Sequence, residues 1–262
     1  MLPQIFKSTV KKVLGIDSQS GVEPIQNLHK VGSNYHGYFI PADFLKSDSI
    51  CYCIGAGEDI SFDTELKILY DAQIYIFDPA PEGIEHFKKL VDVTARGEQL
   101  SIGKKQPFTY RINAAQLSQI TYIDVGVWEK EAILKFYEPD LENYVSHSVH
   151  LFKDSGKFIE APVDRLKNLM KKQNHSAVDL VKIEIEGAEY TVIDTIIEDK
   201  LDIKVILVEF DEVYHMKGFK HLFRIKNSTN KLRKAGYVLA HSTDHYKRLF
   251  VRRDVCHQLG KN

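Results

Sequence analysis

Two short segments carry residue types suited to holding a nucleoside. Gly55-Ala56-Gly57-Glu58-Asp59-Ile60-Ser61 follows an apolar run, and Asp78 follows a second apolar run. Glycines let a main chain approach a ligand closely and adopt positive φ. An acid about 20 residues beyond such a loop is placed to accept hydrogen bonds from ribose hydroxyls. Each feature also has a plain use, the loop as a turn and Asp78 as an N-cap before Pro79 and Pro81. A dinucleotide fingerprint needs a third glycine where Ile60 stands, so the pair points to a nucleoside without a pyrophosphate.

Two later segments add carboxylates. Val181, Ile183 and Ile185 alternate with Lys182, Glu184 and Glu186, although a strand covered on both faces should be apolar throughout. Either Lys182 and Glu184 form an ion pair under a helix, or Glu184 and Glu186 point toward a ligand cleft. Glu209 directly abuts the apolar run Val205–Val208, and Asp211, Glu212 and His215 follow in a loop. Glu184, Glu186, Glu209 and Asp211 are also the hard oxygen donors that a divalent cation would take.

The elements needed to position these groups are legible from periodicity. Strands are expected at Ser49–Ile54, Ile74–Phe77, Ile120–Val127, Ala132–Tyr137, Leu180–Ile185 and Val205–Phe210, with Tyr237–Ala240 and Arg248–Val251 closing the chain as a hairpin. Helical stripes fall on Phe62, Leu66 and Leu69, on Ile84, Phe87, Leu90 and Val91, on Tyr190, Ile193 and Ile197, and on Leu222, Ile225 and Leu232. Alternating strands and helices predict an α/β domain with a mostly parallel sheet covered on both faces. Residues 1–48 read as an N-terminal lead-in or helical cap, and residues 49–262 as the ligand-binding domain. Ligands of such sheets sit at the carboxyl ends of the strands, which is where the glycines and acids lie.

Composition narrows the partners. Lys plus Arg number 35 against 36 for Asp plus Glu, a net charge of −1 that gives no electrostatic basis for binding nucleic acid. The basic residues between Lys220 and Lys234 are expected to form a solvated helix face. Three cysteines, two of them (Cys51 and Cys53) in an apolar run, predict a reducing, cytoplasmic setting and no disulfide framework. No stretch is long and apolar enough for a membrane span, and the segment up to Leu14 reads as an amphipathic helix.

Beyond these readings, the chain resembles the FkbM family of S-adenosylmethionine-dependent methyltransferases over roughly residues 49–252. The resemblance runs through Tyr52–Phe62, Phe77–Pro81, Gly126-Val127-Trp128, Val145-Ser146-His147-Ser148, Val178–Tyr190 and Leu207–Phe210. It implies a Rossmann-like class I methyltransferase fold, a seven-stranded sheet whose last strand is antiparallel. It also implies S-adenosyl-L-methionine as cofactor, with Gly55, Ala56, Gly57, Glu58, Asp59 and Ser61 in the loop at its methionine end. Asp78 and Pro79 would lie at the ribose, and Val127 and Trp128 at the adenine. Two positions depart from the family pattern: Cys53 and Glu184 both stand where many members have Asp.

The resemblance implies O-methylation of a sugar, glycan or related natural product. For an alcohol acceptor, the candidate bases or orienting groups are Glu184, Glu186, Glu209 and His147. A divalent metal held by Glu184, Glu186, Glu209 or Asp211 would be an addition to this scheme. The competing expectations are an NAD(P)-dependent oxidoreductase and a nucleoside-binding module without catalysis.

Overall fold

A computed structural model describes residues 4–137, 158–211, 213, 216, 218–244 and 246–259. Helix α1 (Gln4–Leu14) precedes an antiparallel hairpin of β1 (Leu28–Val31) and β2 (Tyr38–Pro41). The chain continues through β3 (Ile50–Ile54), α2 (Ser61–Tyr70), β4 (Gln73–Phe77) and α3 (Pro81–Ala95). A small hairpin of β5 (Ser101–Ile102) and β6 (Phe108–Thr109) leads through α4 (Ala114–Leu117) to β7 (Thr121–Ile123). Next come β8 (Gly126–Trp128), β9 (Ala132–Tyr137), β10 (Phe158–Arg165) and α5 (Leu166–Lys172). The remainder is β11 (Ala177–Ile183), α6 (Glu189–Glu198), β12 (Asp202–Glu209), α7 (Lys220–Lys234), β13 (Tyr237–Ser242), β14 (Lys247–Arg252) and α8 (Arg253–Leu259).

Among the described residues, the large sheet has seven strands in the order β13-β14-β12-β11-β3-β4-β7. The five strands from β12 to β7 are mutually parallel, and β14 runs antiparallel to both of its neighbours. The mostly parallel sheet with a reversed last strand agrees with expectation. A second sheet, β8-β10-β9, stands beside it.

Alternation along the central strands separates two apolar layers. Tyr52, Ile54, Val181, Ile183, Ile206 and Val208 face α6 and α7, whereas Cys51, Cys53, Leu180, Val205 and Leu207 face α2, α3 and the β1–β2 hairpin. Cys51 and Cys53 are fully buried, and burial pushes both thiols up, as befits small core side chains. Val31, Tyr38 and Ile40 of the hairpin are buried in the same layer, so the lead-in segment contributes to the core.

Three expectations change in detail. The strand expected at Ile120–Val127 divides: β7 belongs to the large sheet and β8 to the small one. The chain changes sheets at Asp124-Val125, and Gly126 packs so closely that an added Cβ would lie 3.0 Å from Val163 and 3.2 Å from Pro79. The strand expected to reach Ile185 ends at Ile183, because Glu186 and Gly187 adopt φ of 53° and 96°. Leu69 and Val91 are 49% and 40% exposed and lie off the buried stripes of α2 and α3. Among the described residues, no helix is long and apolar enough to cross a membrane.

Candidate functional site

The glycine loop leaves β3 at the centre of the sheet. Gly55 has φ of 86°, and a Cβ there would sit 1.9 Å from the Glu184 carbonyl oxygen, so glycine is required both conformationally and sterically. The Gly55 N–H donates to the Phe77 carbonyl at 3.0 Å. Asp78, buried at the end of β4, then shapes the loop. Its Oδ2 accepts from the N–H groups of Ala56 (2.8 Å) and Gly57 (2.9 Å), and its Oδ1 accepts from Ala80 N–H at 2.8 Å. A carboxylate has about four acceptor sites, so Asp78 retains capacity for about one further hydrogen bond.

The rest of the loop is divided between anchoring and access. Asp59 accepts from Ser61 N–H through Oδ1 and from the Ser33 hydroxyl through Oδ2, both at 2.9 Å, while Ser33 N–H donates to the Ser61 hydroxyl at 2.8 Å. Asp59 and Ser61 therefore clamp the β1–β2 turn onto the loop. Gly57 and Glu58 are exposed, and a Cβ at Gly57 would meet no atom within 4 Å. Pro79 packs against the start of β8, which brings Val127, buried, and Trp128, half-buried, to the same strand ends.

The carboxyl ends of β11 and β12 bring the remaining groups together. The Lys182 ammonium is buried, donates to the Gly55 carbonyl at 2.8 Å, and lies 3.2 Å from Glu184 Oε2. The ion-pair reading of Lys182 and Glu184 is therefore the one the geometry has, and it also places Glu184 against the glycine loop. Glu184 Oε1 lies 2.9 Å from His36 Nδ1, and its Oε2 accepts from the Tyr38 hydroxyl at 3.0 Å. Glu209 Oε2 lies 2.7 Å from the Lys247 ammonium and 3.5 Å from the Tyr38 hydroxyl. Lys247 also donates to the Tyr35 carbonyl at 2.9 Å, which pins the turn from its other side.

Charge sorts these acids. Burial opposes ionisation of Glu184, but Lys182, Lys247 and the bond with His36 outweigh it and hold its carboxyl well below the usual range. An ionised carboxylate only accepts hydrogen bonds, so His36 Nδ1 carries the proton between them and Nε2 is left as the imidazole's free acceptor. Burial alone would lower the His36 pKa; the hydrogen bond to Glu184 and its charge raise it above 6.5. Burial and the neighbouring Glu184 charge push Glu209 up to about 7 despite Lys247. Beyond β11, Glu189 is fully buried and pushed up to about 8, chiefly by desolvation. Its Oε1 accepts from the N–H groups of Ile185 and Gly187, and its Oε2 has no hydrogen-bond partner among the described residues. Burial and the nearby Glu189, Glu186 and Glu209 raise Asp211 as well.

Of the residues expected to act, Glu184 and Glu209 are thus joined through Tyr38. Glu186 lies in the left-handed turn after β11, and His147 lies outside the described residues. Among the described residues, no group of three or more His, Cys, Asp or Glu side chains is arranged to hold a metal ion. His36, Tyr38 and Lys247 were not expected. For His36 and Tyr38 the one sequence signal is Asn34-Tyr35-His36-Gly37-Tyr38, where a Cβ on Gly37 would clash with the Ser33 carbonyl, and Lys247 has none.

The model of the Methyltransferase FkbM domain matches residues 51–239. This chain belongs to the FkbM methyltransferase family. Similar solved structures include Methyltransferase FkbM from Methylobacillus flagellatus KT, which is 14% identical with a TM-score of 0.47. That likeness covers 79% of this chain, which spans only 44% of the other. The fibrillarin pre-rRNA processing protein of Methanococcus jannaschii is 13% identical with a TM-score of 0.40, over 79% of this chain and 68% of its own. No curated protein matches the sequence. His36, Tyr38 and Lys247 all lie outside the matched FkbM segment.

Two outcomes follow from this geometry. Gly55→Ala should cost on the order of 4 kcal/mol, since it combines strain with a backbone clash, while Gly57→Ala should cost only about 1 kcal/mol; urea unfolding of both variants makes the comparison. Glu189 binds its proton more tightly in the folded than in the unfolded state, so its contribution is full below pH of about 4.5 and is lost as pH rises toward 8. The urea midpoint should therefore fall between pH 5.5 and pH 8.5, and fall less in Glu189→Gln.

Proposed function

We propose that this FkbM-family methyltransferase transfers a methyl group from S-adenosyl-L-methionine to a hydroxyl of a sugar, glycan or related natural product. The observation that carries the reading is the pairing of an ionised Glu184 with His36 directly beside the glycine loop. The residues present suit such a cofactor. Gly57 leaves open space, and Asp78 has remaining acceptor capacity for a ribose hydroxyl. In this reading Gly55, Ala56, Gly57 and Glu58 would border the methionine end, Asp78 and Pro79 the ribose, and Val127 and Trp128 the adenine. Residues 49–262 form the cofactor-binding unit, and residues 1–48 act as a cap that carries His36 and Tyr38 into it.

When bound, S-adenosyl-L-methionine would supply an electrophilic methyl group to the acceptor oxygen and would leave as the neutral thioether. The chain's own groups manage the proton. His36 Nε2 accepts it from the acceptor hydroxyl, while Glu184 fixes the imidazole tautomer and stabilises the imidazolium that results. Tyr38 gives its one proton to Glu184 and lies 3.5 Å from Glu209, whose carboxyl, pushed up to about 7, stands close enough to orient a polyhydroxyl acceptor. Lys182 keeps Glu184 ionised throughout. Holding the acceptor hydroxyl against His36 would supply the rest of the acceleration by positioning.

The test combines binding with turnover. S-Adenosylhomocysteine should raise the melting temperature of the wild type, and Asp78→Ala should abolish the rise by releasing the loop N–H groups. A panel of sugar acceptors with methyl-labelled cofactor should give labelled ether. His36→Gln should lower kcat by about 100- to 10,000-fold with the melting shift retained. No shift in the wild type would overturn the cofactor assignment, and undiminished turnover in His36→Gln would overturn the assigned base.

A further inference from the structure

On the sheet face away from Lys247 and Glu209, Arg248 of β14 is 4% exposed and lines a cavity of about 180 Å3. The cavity lies between α7 and the segment that follows α1. Arg248, Thr229, Ile16 and Leu222 are buried on its floor, while Gly21 and Asn230 are exposed at its rim. Arg248 donates one terminal N–H to the Thr229 hydroxyl and stacks its guanidinium over the Tyr246 ring, 5.3 Å from the centroid. Its Nε–H is buried with no hydrogen-bond partner, and no carboxylate of the described residues lies within ion-pair distance.

A buried guanidinium without a counter-charge is costly and normally sits against a carboxylate or phosphate. Desolvation pulls the Arg248 pKa down to about 10, in keeping with that deficit. The other charges around the cavity do not remove it. Lys226 donates to the Leu14 carbonyl, leaving its full charge, and Arg233 is paired with Glu23 at 2.8 Å. Asp17 is the nearby acid, and it is engaged by the Ser20 hydroxyl and by Gln19 N–H at 3.0 Å.

We infer that this cavity is a binding site for a phosphate group, separate from the methyl-transfer site. The floor offers the Arg248 guanidinium and the wall the Lys226 ammonium, two cations facing one space the size of a small oxyanion, while the Thr229 and Ser20 hydroxyls give their protons to the Ile225 carbonyl and to Asp17. The planar guanidinium matches two oxygens of a phosphate, whereas the stacked Tyr246 ring holds it in place without competing for its donors. Nothing in this site depends on the cofactor reading given above.

Isothermal titration with inorganic phosphate, at ionic strength fixed with sodium chloride, tests the assignment. The wild type should bind saturably and gain melting temperature, and acetate should bind at least about tenfold more weakly, since it offers fewer oxygens and half the charge. Arg248→Met should abolish binding, and Lys226→Gln, on the half-buried wall, should weaken it several-fold in a protein that keeps its floor. Absence of saturable phosphate binding in the wild type would overturn the inference, as would equal affinity in wild type and both variants, or equal affinity for acetate.

Discussion

The buried ammonium of Lys182 is the interaction on which the site depends. It sits on a central strand in an apolar layer, where an unpaired charge could not persist. Its partners are the Gly55 carbonyl and the Glu184 carboxylate, so one charge joins the glycine loop of β3 to the end of β11. The same charge keeps Glu184 ionised, and an ionised Glu184 fixes how His36 and Tyr38 are oriented. Removing either member of such a buried pair leaves the other uncompensated, at a cost of about 3–5 kcal/mol. Loop geometry, acid strength and the seating of the N-terminal hairpin are therefore one linked property.

The balanced charge of the sequence takes on a different meaning in this light. The acids at the strand ends do not form an open acidic cleft. Lys182 and Lys247 are interleaved with Glu184 and Glu209, and burial raises Glu209, Glu189 and Asp211 while Glu184 alone is strongly lowered. Neighbouring carboxyls with opposed shifts are what a site needs to hold one acid charged while another carries a proton. On the opposite face the imbalance runs the other way, with Arg248 buried and no carboxylate of the described residues paired with it.

The sheet was legible in the sequence because its central strands are largely apolar on both faces, and β3, β4 and β12 fall within a few residues of expectation. Its errors have local causes: a continuous apolar run at Ile120–Val127 conceals a change of sheet, and alternation past Ile183 conceals a left-handed turn. Asp78 and the glycine loop were legible as neighbours, though not that Asp78 organises the loop through its N–H groups. His36 and Tyr38 were invisible because they meet Glu184 across about 150 residues of chain, and no spacing rule spans that separation. The N-terminal segment read as a lead-in because its short strands lack a long period. Burial of Val31, Tyr38 and Ile40 shows what that pattern concealed.

The claim that Glu184 and His36 together remove the acceptor proton is tested most directly by the pH dependence of methyl transfer at saturating cofactor and acceptor. A neutral imidazole is the active form, and its pKa is raised by Glu184. The rate should therefore climb with pH through an apparent pKa above 6.5, and Glu184→Gln should move that limb to lower pH by removing the charge that raises it. A limb that stays in place in Glu184→Gln, or a rate independent of pH between 5 and 8 in the wild type, would contradict the account.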